Sequence, residues 1–141
     1  MTKVVALAGT GLGFCGFIIS LAGVSFYTEK FDNLRPIEYP WWGVWFLFLC
    51  VLATAGVIAA NKAHTYGQAV QGLLAACMSV NMINLMTTKR QLDSIDDDLE
   101  TSMRTAFAGF LIGTVGTGLS IIGISMAAGS QDTSKHASPA S

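Results

Sequence analysis

VVALAGTGLGFCG, residues 4–16, has two readings, and the choice between them decides the fold. Gly11, Gly13 and Gly16 make a G-x-G-x-x-G match behind an apolar run, with Glu29 downstream. That is the pattern of a phosphate-binding turn. The same letters also describe a membrane helix rich in glycine. A dinucleotide fingerprint needs a strand, a tight turn and then a helix with one polar face. Here the glycines run into FIISLAGVSF, residues 17–26, which offers water no charged face. The stretch is therefore read as helix, and the nucleotide reading is set aside.

The rest of the chain extends that reading. Of 141 residues, 52% are hydrophobic and 12% charged, which is too apolar for an ordinary soluble domain of this size. Every charged side chain falls at Lys3, within 29–38, at Lys62, within 89–104 or within 132–135. The uncharged segments between them, 4–28, 39–61, 63–88 and 105–131, each exceed the roughly 20 residues that a helix needs to cross the hydrocarbon. A charge inside any of them would cost about 2.5–3.5 kcal/mol, so its exclusion from all four is one physical pattern. The sequence predicts an all-α, integral membrane four-helix (tetraspan) bundle over 1–128, with spans at about 4–27, 41–61, 66–88 and 104–128. Residues 129–141 read as a flexible polar tail with too little apolar surface to fold. Lys3 and the run behind it also suit a secretory signal, but the run exceeds the usual core of about 7–15 residues, and it is read as a retained helix.

The first span carries Ala6, Gly9, Gly13, Gly16, Ser20 and Gly23, and the last carries Ala106, Gly109, Gly113, Gly116, Ser120, Gly123 and Ala127. Alternating steps of three and four keep such residues on one helix face. In lipid, helices are held by close backbone approach and van der Waals contact, which small residues permit. Both stripes are predicted to be packing faces, joining spans one and four to each other or to copies in neighbouring subunits. They match letter for letter over Ala-Gly-Gly-Gly-Ser-Gly at an offset of 100 residues. Duplication would explain the match, and small-residue composition explains it more simply.

Span two opens with Pro40 followed by Trp41, Trp42 and Trp45. Proline suits a first helical turn and tryptophan the headgroup boundary, so the three are expected to be interfacial anchors. Span three is the most polar, with Gln68, Gln71, Asn81 and Asn84 expected to hydrogen-bond between helices. Cys15, Cys50 and Cys77 each lie near the middle of a span. They could meet at one level and hold a soft metal with Met78, Met82 and Met86 nearby, but they read more simply as apolar filling, and no metal site is expected. His64 and His136 lie outside the spans.

The acid-rich connection 89–100 lacks the ligand order and central glycine of a calcium loop. Ser94 and Asp97 there suit a helix start, so span four is expected to begin outside the membrane. Lys and Arg favour the odd-numbered connections as cytoplasmic by five to three, while net charge on that face, at −3, points the other way.

Four spans, a short front end, connections of roughly twelve, six and eighteen residues, an aromatic start to span two and a small-residue span four resemble the MARVEL tetraspan proteins. That resemblance implies membrane organisation, vesicle traffic or junction assembly, without catalysis. The residues themselves offer no nucleophile with a base, no metal-ligand cluster and no carboxylate pair within the spans. The expected role is a structural or accessory subunit whose partners are membrane lipids and other membrane subunits or its own copies, with no nucleic acid and no cofactor beyond bound lipid. The alternative is a small oligomeric channel or transporter, with the polar face of span three lining its path.

Overall fold

Long uncharged runs become helices in lipid because the backbone must satisfy its own N–H and C=O groups there. In the computed structural model, residues 2–30, 38–92 and 97–136 are described. They form α1 Thr2–Lys30, α2 Glu38–Ala59, α3 Ala63–Leu92 and α4 Asp97–His136. Each holds a stretch long and apolar enough to span a membrane: Lys3–Glu29, Pro40–Ala59, Ala63–Arg90 and Glu100–Ala127. Helix α1 passes unbroken through Gly11, Gly13 and Gly16, so no phosphate-binding turn exists there.

Between α2 and α3 the chain reverses in a tight turn. Asn61 takes a left-handed φ of 54°, its N–H donates to the Ile58 carbonyl at 3.1 Å, and the Lys62 N–H donates to the Val57 carbonyl at 3.1 Å. These two bonds around a left-handed residue are a Schellman helix end. The Lys62 carbonyl then accepts from Thr65 and Tyr66 at 3.0 Å and starts α3. The connection is therefore residues 60–62, tighter than the expected span limits of 61 and 66.

Helix α4 is 40 residues long. It begins ahead of its apolar span, and an ion pair between Glu100 and Arg104, one turn apart, lies at that end. At its other end it continues to His136, which corrects the expected tail: the segment from 129 is helical as far as 136. An existing helix extends by one hydrogen bond per residue without a new nucleus, and no proline interrupts it before Pro139. Ser94, the expected cap, lies outside the described residues.

The helices form a ring in which each packs on its neighbours in the chain and α1 closes against α4. Val44, Leu47, Cys50, Leu74, Cys77, Phe110 and Ile124 fill the centre and are shut off from the surroundings. Buried hydroxyls turn back onto their own helices: Ser20 donates to the Phe17 carbonyl at 3.0 Å, Thr54 to that of Cys50 at 2.7 Å and Thr117 to that of Thr114 at 2.8 Å. These three hydroxyls are thus satisfied without water. Val4, Leu7, Phe26, Ile83 and Met86 point outward, as suits a surface solvated by lipid rather than water.

Candidate functional site

Helices α1 and α4 meet along the two small-residue stripes. The facing pairs are Ala6 with Gly123, Gly9 with Ser120, Gly13 with Gly116, Gly16 with Gly113, Ser20 with Gly109 and Gly23 with Ala106. Steps of three, four, three, four and three read the same in both directions, so the stripes match when antiparallel. Every pair contains a glycine; wherever one side has a Cβ, the other has none. A Cβ added at Gly16 would lie 2.6 Å from the Gly113 Cα and 2.8 Å from the Gly109 carbonyl oxygen, and one added at Gly116 would lie 2.8 Å from both the Gly13 Cα and the Gly9 carbonyl oxygen. Gly13 and Gly113 aim sideways at α2 instead, 3.0 Å from Val51 Cγ2 and 2.7 Å from Leu47 Cδ2. Tandem copying of a helix pair would make α1 correspond to α3, not to α4. The likeness of the stripes is therefore explained by the contact they share.

Beside this seam, α3 carries Asn81 and Asn84 into the core, at 0% and 3% exposure. The Asn81 amide nitrogen donates to Cys77 Sγ at 3.9 Å on its own helix. Its Oδ1 and the Asn84 Nδ2 have no hydrogen-bond partner. Asn84 occupies the space that Gly43 leaves on α2: a Cβ there would lie 2.9 Å from Asn84 Cγ and 3.2 Å from Phe110 Cε1. An unmade hydrogen bond on a buried polar atom costs about 1–3 kcal/mol, so each of these two amides carries an unoffset cost in the core. The sequence did not single out Gly43, although a glycine within the bulky WWGVW of residues 41–45 was a signal.

The four amides expected between helices divide three ways. Gln71 bonds across to α4, its Nε2 donating to Ser125 Oγ at 2.9 Å, and Ser125 donates onward to the Ile121 carbonyl at 2.9 Å. Asn81 and Asn84 are buried and make no bond to another helix through Asn81 Nδ2, Asn81 Oδ1 or Asn84 Nδ2, and Gln68 is exposed on the outer face. They do not line one path, because Gln68 and the asparagines occupy different faces of α3.

The cysteines divide as well. Cys50 and Cys77 are both buried in the core, Cys50 donating from Sγ to the Leu73 carbonyl at 3.8 Å. Cys15 is exposed on the outside of α1, and Met82 and Met86 also face outward. The three thiols do not converge, and among the described residues no group of three or more His, Cys, Asp or Glu could hold a metal. Of the tryptophans, Trp42 and Trp45 are exposed. Trp41 is half-buried and donates from Nε1 to Thr28 Oγ1 at 3.2 Å, tying α2 to the end of α1.

No protein-family model matches the chain. It is 27% identical over 107 residues to the high osmolarity signaling protein SHO1 of Paracoccidioides brasiliensis (strain Pb03), covering 76% of this chain and 31% of that protein. It is 30% identical over 91 residues to the SHO1 protein of Ajellomyces dermatitidis (strain ER-3 / ATCC MYA-2586), covering 63% of this chain and 26% of that one. The chain thus spans about a third of the length of the curated relatives it matches. In structure it is similar to the LCI1 channel of Chlamydomonas reinhardtii, with a TM-score of 0.77 and 15% identity over 88% of this chain and 95% of that one. This chain is a multi-pass tetraspan membrane protein. The likeness to the channel, at 15% identity, is one of fold.

Proposed function

We propose that the chain is a non-catalytic membrane module, a structural or accessory subunit that packs into a larger membrane assembly or with its own copies. The observation that carries this reading is the closed centre: Asn81 and Asn84 are walled in by Gly43, Leu47, Phe110 and Gly113, so the polar side chains of the described core face neighbouring helices rather than an open path. The relatives suggest signalling in response to osmolarity as the setting, with this chain acting as the membrane-embedded part. The MARVEL resemblance points the same way, toward organisation of a membrane rather than catalysis.

A second reading, a small oligomeric channel, is favoured by the fold shared with the algal channel protein. Within one chain, the separation of Gln68 from Asn81 and Asn84 counts against a single polar path, so any path would need several copies. Mass spectrometry of the gently solubilised native complex tests the first reading: a stoichiometric membrane companion, or a defined homo-oligomer that passes no solute when reconstituted in liposomes, supports it. A companion-free chain that conducts ions or solutes overturns it in favour of the second.

A further inference from the structure

The C-terminal half of α2 is slender, and a groove of about 510 Å³ opens between it and α3. Ala53, Gly56, Ala69, Val70 and Leu73 form much of its lining, with Tyr66 at one end. A Cβ added at Gly56 would meet nothing within 4 Å, so glycine there leaves open space rather than a contact. The Lys62 Nζ stands over the Tyr66 ring, 6.0 Å from its centroid, and both side chains are exposed. The groove therefore has a cationic crown in the tight α2–α3 turn and an apolar floor within the spans. No acidic residue lies in the first turn of α3 to neutralise the crown.

We infer that this groove binds one anionic phospholipid, its phosphate against Lys62 and an acyl chain lying over Gly56 toward Leu73. On α3 the lining runs from Tyr66 to Leu73, roughly 10 Å at 1.5 Å per residue, which lies within one leaflet of a 30 Å hydrocarbon core. Tyr66 sits where an aromatic ring with a polar tip favours the headgroup boundary. Charge selects the occupant, because a cation at the membrane surface attracts anionic headgroups and not zwitterionic ones. A second groove of about 460 Å³ runs between α1 and α2 past Leu7, Phe14, Leu52 and Ile58. Neither lining itself holds a charged side chain; Lys3 lies one turn before Leu7 on α1, but the ring in this second lining, Phe14, is eleven residues from it, so no cation is seated over a ring there as Lys62 is over Tyr66.

The test is native mass spectrometry of the full chain released from nanodiscs made of equal parts phosphatidylcholine and phosphatidylglycerol. Wild type is expected to retain phosphatidylglycerol about fivefold over phosphatidylcholine, the preference that one surface lysine supplies. Lys62→Gln, a change in an exposed side chain, should abolish the preference while leaving helicity and melting temperature unchanged. Gly56→Leu, whose Cβ would meet nothing within 4 Å and whose branch extends into the groove, should reduce retention of both lipids. Equal retention of the two lipids by wild type overturns the inference. So does a preference that survives Lys62→Gln, or full lipid retention in Gly56→Leu.

Discussion

Glycine does opposite things on the two sides of this bundle. Along α1 and α4, Gly16 and Gly116 let two backbones touch. Along the C-terminal half of α2, Gly56 removes a side chain and no other part of this chain moves in to replace it. The residue is the same; what differs is alignment. Gly16 belongs to a series stepping by three and four that meets a matching series, whereas Gly56 sits beside Ala53, Ala55 and Ala59 without a facing counterpart. In a membrane, where apolar burial between helices gives little drive, a matched series becomes a seam and an unmatched one a groove.

The largest effect should come from breaking the seam. Gly16→Ala or Gly116→Ala puts a methyl group against the partner helix's backbone, which has no side-chain torsion with which to yield. Overpacking of this kind costs about 1–3 kcal/mol, and these two sites should fall at the upper end, read as a lowered melting temperature in mild detergent. Gly113→Ala should cost less, because its new methyl meets the tip of Leu47, which can rotate. Equal losses at Gly16 and Gly113 would show that the seam is not held by backbone contact.

Next in size is Gly43→Ala, which drives a methyl into the Asn84 amide. A cost of about 1–2 kcal/mol is expected, and most of it should vanish when Asn84→Ala is added. A double-mutant cycle measures that coupling directly. Additive costs would mean that Gly43 is not a socket for Asn84. Smaller again is Gln71→Leu, which removes the hydrogen bond to Ser125 across α3 and α4 and should cost about 0.6 kcal/mol, the average for such bonds within membranes. An unchanged melting temperature in that variant would make the bond incidental.

The four spans were legible because charge is excluded from them at a cost that any sequence must respect. The palindromic spacing of the stripes was visible too, but not whether each would meet the other or a neighbouring copy, since a periodic face names no partner. The Gly43 socket was illegible because Gly43 and Asn84 belong to different helices and only their three-dimensional register joins them. For Gln68 against Asn81, residue type misled: amides in one span need not share a face. The helical run beyond 129 escaped notice because polar composition suggested a tail, whereas continuation of a helix depends on the absence of a breaker.

The smallest effect tests the other half of the comparison. At Gly56 and Gly11, a new Cβ meets nothing within 4 Å, so Gly56→Ala and Gly11→Ala have no contact to lose and no clash to relieve. Alanine restricts the unfolded chain more than glycine and favours the helix by up to about 1 kcal/mol. Both variants should therefore melt at the wild-type temperature or slightly above it, while Gly16→Ala melts well below. Glycine content is identical in the three backgrounds, so a difference between them isolates facing geometry from composition. If Gly56→Ala melted as low as Gly16→Ala, the groove beside α2 would have to be filled by a neighbouring copy under the conditions of the measurement, and the contrast between seam and groove would give way to two seams, one inside the chain and one between chains.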